Sequence, residues 1–125
     1  MEEEAKREKL VVVATHGGED PERASLPFVV ANAALVMDVE SAVILQSSAV
    51  TLTAKGCYEH VFAPGLPPLK DLVDSFLEQG GALLVCTPCL EERKIDKASL
   101  IEGAVPVKAG RVVMEVMEAT STLSY

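Results

Sequence analysis

A chain of 125 residues with a formal net charge of −8 is long enough for one packed domain and short for two. The acidic balance argues against non-specific nucleic-acid binding, and no apolar run reaches the ~18 residues of a membrane span, because Asn32 and Asp38 interrupt the longest one. The Glu/Lys-rich opening lacks the apolar core of a signal peptide, so a cytoplasmic protein without nucleic-acid or membrane partners is expected.

Residues 1–8 read as a charged tail or a frayed helix turn. Residues 9–15 (KLVVVAT) form a continuous β-branched run, the mark of a strand buried on both faces of a parallel sheet. After a Gly-Gly loop, Asp20 is a candidate N-cap with Pro21 at the first helical position. The helix that follows runs toward Met37 and is apolar nearly all round, so it is expected to pack on the sheet and on a partner subunit. Pro27 is expected to kink it or delay its regular start. Residues 41–46 (SAVILQ) read as the second strand, 47–56 as a loop with room for a helical turn, and 58–62 (YEHVF) as a short strand or extended segment. Pro64, Gly65, Pro67 and Pro68 punctuate a loop. Leu69, Leu72, Val73, Phe76 and Leu77 then give a clean helical stripe, closed by Gly80-Gly81.

Leu83, Leu84 and Val85 read as a buried strand that ends in Cys86-Thr87-Pro88-Cys89, with Pro88 suited to the first turn of a helix. Residues 104–107 suggest a short strand. Val112, Val113, Val116 and Met117 form a second helical stripe, and Leu123 to Tyr125 read as a last strand. Strands alternating with helices predict a single α/β domain over 1–125, a three-layer α/β/α flavodoxin-like fold with about five mostly parallel strands. Ligands of such sheets sit beyond the carboxyl ends of the strands, which places His16, Ser47 and Cys86 on one edge.

The odd count of three cysteines in a reducing compartment points to thiol chemistry rather than to a disulfide framework. Cys57, His16 and His60 stand at no recognised metal spacing relative to the pair, so neither a metal nor another cofactor is expected. Two cysteines at a helix start can exchange sulfur or form a disulfide, whereas inert cysteines simply pack as small hydrophobes. Cys86, at the strand-to-helix turn, faces unpaired backbone N–H groups and is predicted to be the lower-pKa, leading thiol, with Cys89 resolving it. His16 is a candidate base or hydrogen-bond partner for Cys86, or an ordinary loop histidine. Arg93 and Lys94 can draw an anionic sulfur species to the thiol, or form a solvated helix face. Cys57 reads equally as incidental or accessory. No dinucleotide fingerprint or phosphate-binding loop is present.

The run of strand, Gly-Gly-Glu-Asp-Pro-Glu-Arg-Ala, apolar helix, strand, Pro-Pro-Leu helix, Gly-Gly strand and Cys-Thr-Pro-Cys-Leu-Glu-Glu-Arg-Lys-Ile resembles the DsrE/DsrF-like (DsrEFH) sulfur-relay family from about Lys9 to Tyr125. The resemblance implies a small parallel α/β fold, assembly as a trimer or hexamer, and a cysteine just past a strand that carries a persulfide. Cys86 matches that cysteine and Arg93 the basic residue after it, while Cys89 is typical of some branches. The implied partners are sulfur donor and acceptor proteins or small thiols. The competing readings are a thiol–disulfide oxidoreductase using Cys86 and Cys89, and a non-catalytic oligomeric binding module.

Overall fold

The computed structural model describes residues 7–125; most of the charged tail expected over 1–8 lies outside the described residues. Five strands, β1 (Lys9–Ala14), β2 (Glu40–Leu45), β3 (Ala82–Cys86), β4 (Ala104–Val107) and β5 (Ser121–Ser124), form one parallel sheet in the order β4-β3-β2-β1-β5. Four helices join them: α1 (Pro21–Val36), α2 (Leu69–Glu78), α3 (Thr87–Glu92) and α4 (Ala109–Glu118). Pro106 falls in β4, an edge strand, where a missing ladder donor is tolerated.

The chain steps from β1 to β4 in one direction across the sheet and then returns to place β5 beside β1. Right-handed crossovers therefore put α1 and α2 on one face and α4 on the other. Under α1 and α2, Val12, Val43 and Leu83 lie in register, as do Ala14, Leu45 and Val85, and all are buried. Phe28 of α1 meets Phe76 of α2 edge to face, with ring centres 5.7 Å apart. The opposite face carries Val11, Ala42, Ile44 and Leu84, against which Val112 and Ala119 pack.

Local signals set the helix ends. The Asp20 carboxylate accepts the Arg23 N–H at 3.1 Å and caps α1 with Pro21 behind it. The helix starts at Pro21 and continues through the buried Pro27, so the expected delay does not occur: the cap and the packed ring hold the early turns. Asn32, which breaks the apolar run, donates to the Leu72 carbonyl at 2.9 Å and accepts from Gln79 at 2.9 Å, clamping α1 to α2. Gly80, at φ 87°, ends α2 in the left-handed conformation that glycine adopts freely, and the Gly81 N–H returns to the Phe76 carbonyl at 2.9 Å. A side chain on Gly81 would drive its Cβ to 2.3 Å from the Phe76 ring.

Two further expectations are corrected. Residues 58–60 form a 3-10 turn (Tyr58–His60) rather than a strand, because the Glu59 carboxylate folds back onto the Gly56 N–H at 3.2 Å and His60 N–H closes onto the Cys57 carbonyl at 3.0 Å. Of the apolar stripe of α4, Val112 packs on the sheet and the rest turns away from it. Val113, Met114 and Met117 are exposed, and the buried residue of α4 is Glu115, ion-paired to Lys9 at 3.0 Å and to Arg111 at 3.1 Å. Its buried side chain reaches a lysine at the start of β1.

Candidate functional site

His16, Ser47 and Cys86 leave neighbouring strands at the carboxyl edge, as predicted from sequence, since Ala14, Leu45 and Val85 are in register. Cys86 ends β3 and caps α3, whose Thr87 and Pro88 open the helix and whose buried Leu90 anchors it to the core. Cys86 and Cys89 are free, half-buried thiols that pack against the main core. The Cys86 thiol lies against both the thiol and the backbone N–H of Cys89.

The residues between β2 and the cysteines matter more than their sequence suggests. A 3-10 helix (Ser47–Thr53) follows β2 and buries Ala49, Val50 and Leu52 beside β3 and α3. Its first residue, Ser47, has φ 54° and donates its backbone N–H to Cys89 Sγ at 3.3 Å. That donor lies 42 residues away from Cys89 in the chain, and no spacing rule finds it. The next residue, Ser48, donates its hydroxyl to Glu19 and receives the Gly17 N–H at 3.2 Å. Gly17 allows this approach, because a Cβ there would stand 2.6 Å from the Ser48 carbonyl. Burial pushes the Glu19 carboxyl up, but the Ser48 hydroxyl and the Gly17 N–H outweigh it and leave the group below its ordinary range. Glu19 thus holds the edge loop as a carboxylate.

Burial, then the neighbouring Cys89 thiol, pushes the Cys86 thiol above its ordinary range, although the Cys89 N–H and Arg93 pull the other way. This is opposite to the lowering expected for a leading thiol. Arg93 lies beside the pair: its guanidinium donates to the Cys89 carbonyl at 3.3 Å. His16 shares the edge, and one whole strand, β2, separates β1 from β3, which sets the strand ends roughly 10 Å apart; the His16 ring contacts the Thr15 hydroxyl at 3.3 Å. Among the described residues no hydrogen bond joins Cys57 to the pair, and no cluster of three or more His, Cys, Asp and Glu side chains is arranged to hold a metal ion. A cavity of about 300 Å³, lined by Leu10, Val30, Ala34, Met37 and Ser121 among others, lies at the opposite, amino-terminal edge of the sheet.

Comparison with known proteins agrees with this architecture. The structure is similar to the ychN protein from E. coli (TM-score 0.74, 19% identity, covering 94% of this chain and 99% of that one). It is also similar to MTH1491 from Methanobacterium thermoautotrophicum, a protein of unknown function (TM-score 0.73, 16% identity, covering 95% and 99%). In sequence, the chain is 33% identical over 98 residues to the uncharacterized protein MJ0760 of Methanocaldococcus jannaschii. That match covers 78% of this chain, which spans only 36% of the length of that relative. The profile of the DsrE/DsrF-like family matches residues 8–125, and the chain belongs to that family.

Proposed function

We propose that the protein is a cytoplasmic sulfur carrier that holds sulfur as a cysteine persulfide on the Cys86/Cys89 pair and passes it from a donor to an acceptor thiol. The observation that carries this reading is the contact between the two free thiols at the carboxyl edge of the sheet, in a chain of the DsrE/DsrF-like family. A thiolate attacks the terminal sulfur of a donor persulfide, the donor leaves as a thiol, and an acceptor thiol later collects the sulfur. Arg93 supplies positive charge beside the pair, and the half-burial of both cysteines limits random oxidation. The partners are sulfur donor and acceptor proteins or small thiols.

We further propose a homo-oligomer, a trimer or hexamer, closed through exposed apolar side chains: Val113, Met114 and Met117 on α4, and Val36 and Met37 at the end of α1. Light scattering that finds a stable monomer at micromolar concentration rules out the assembly. Intact mass spectrometry after incubation with a persulfide donor tests the carrier. The expected result is the gain of one sulfur atom, lost on reduction. A dithiol that only cycles as a disulfide loses two hydrogens and gains no sulfur. A binding module keeps its function with all three cysteines replaced.

A further inference from the structure

The two thiols of the pair are not equivalent. The chain leaves the sheet at Ser47: the Gln46 N–H still makes a ladder bond to the Ala14 carbonyl at 2.9 Å, and the next N–H, that of Ser47, reaches Cys89 Sγ at 3.3 Å instead. Ser47 holds φ 54°, a conformation that a residue with a Cβ adopts only at some cost, and from it the chain turns directly into the 3-10 helix that packs beside α3. Cys89 Sγ therefore receives a main-chain donor from a separate, well-packed element, and such a bond strengthens when the sulfur is charged. Cys86 packs against the same core but receives no N–H from that element. The Cys89 N–H and Arg93 favour its charged form, but burial, together with the neighbouring Cys89 thiol, outweighs them and favours the protonated form. The charged groups on the elements around the pair are Arg93, on the Cys89 carbonyl, and Glu91 and Glu92, exposed on α3; Glu19 is held by Ser48.

We propose that Cys89 is the sulfur-bearing thiol, with the Ser47 N–H as its anion-stabilising donor, and that Cys86 is the resolving thiol. This rests on the sulfur-carrier reading and reverses the order predicted from sequence. In loading, the Cys89 thiolate forms a bond to the sulfane sulfur of a donor persulfide. The donor S–S bond breaks, and the donor sulfur leaves with the electron pair and takes a proton. Without an acceptor, the Cys86 thiolate attacks Cys89 Sγ, the bond from Sγ to the terminal sulfur breaks, and that sulfur departs as hydrosulfide. The two cysteine sulfurs are oxidised to a disulfide as the sulfane sulfur is reduced, and an external dithiol restores the pair. Ser47 is a positioning residue: it supplies a backbone donor and no reacting atom.

The full chain with Cys57→Ser, incubated with glutathione persulfide and followed by intact mass and hydrosulfide release, tests the assignment. Cys86→Ser should load one sulfur, keep it, and release no hydrosulfide. Cys89→Ser should load at least about tenfold more slowly, the effect of losing a hydrogen bond to a charged group. The reverse pattern overturns the proposal. Thiolate absorbance against pH in the same two variants needs no sulfur donor. If the parent takes up no sulfur, the carrier reading fails, while the order of the thiols is still decided by which ionises at lower pH. Cys89 first supports the assignment; Cys86 first, or equal ionisation, overturns it. The donor itself is tested by a pair of variants. Ser47→Val, strained at positive φ, should slow Cys89 alkylation and sulfur loading, and Ser47→Gly should keep the parent rates. Unmoved rates in Ser47→Val remove Ser47 from the mechanism.

Discussion

The two faces of the sheet are built on different principles. Under α1 and α2 the helices turn their apolar stripes inward, and the aromatic pair Phe28 and Phe76 closes a core that includes Val12, Val43 and Leu83. Over the other face, α4 buries a carboxylate and turns Val113, Met114 and Met117 outward. The hydrophobic period of α2 and that of α4 look alike in sequence, yet one reads out as core and the other as surface. An apolar stripe shows that a helix packs on something; it does not say whether that is its own chain. The α1/α2 face closes the main core within one chain, and the α4 face leaves its apolar side chains exposed.

That contrast is open to breakage by mutation. The largest stability loss is expected from Phe28→Ala or Phe76→Ala, about 3–5 kcal/mol in urea unfolding, because each leaves a cavity in the dry core. A loss as large from Val113→Ala in dilute, monomeric protein would show that the two faces do not differ. Next comes Lys9→Met, which leaves the Glu115 carboxylate buried with Arg111 as its remaining partner and should cost about 3 kcal/mol. The double variant Lys9→Met/Glu115→Leu should recover most of this; failure to recover would mean that packing, not charge, seats α4.

Acid should act through the same carboxylate. Burial raises the Glu115 carboxyl, but Lys9 and Arg111 more than offset this and leave its folded pKa below the ordinary 4.5. A lowered folded pKa contributes stability that is present above the unfolded pKa and lost as pH falls through the folded one. Stability should therefore drop as pH falls below 4.5, and Glu115→Gln should flatten that drop in urea midpoints measured against pH. An unchanged slope would remove Glu115 from the acid response. The smallest effect on the monomer is expected from Met117→Glu, within about 0.5 kcal/mol, since that side chain is 79% exposed. The same change should shift the proposed assembly toward monomer in sedimentation, which would place the interface on α4.

Much of the fold was legible in the amino-acid order because its signals are short-range. The β-branched run of β1, the Asp20-Pro21 start of α1, the stripe and glycine end of α2, and the cysteine at a strand-to-helix turn each depend on a few neighbouring residues. Alternation of such elements sufficed for a parallel α/β domain. What only the folded chain decided involves partners far apart in sequence. The strand order, which sets one strand between His16 and Cys86, follows from how crossovers stack, and the burial of Glu115 on α4 rests on Lys9, more than a hundred residues earlier. The proposed inequality of Cys86 and Cys89 is the sharpest case. Local rules favour the cysteine at the turn, but the donor to Cys89 comes from Ser47, on a different strand end, and burial and the neighbouring thiol act on Cys86. Hydrogen bonds and desolvation depend on distance in space, and the sequence determines distance only along the chain.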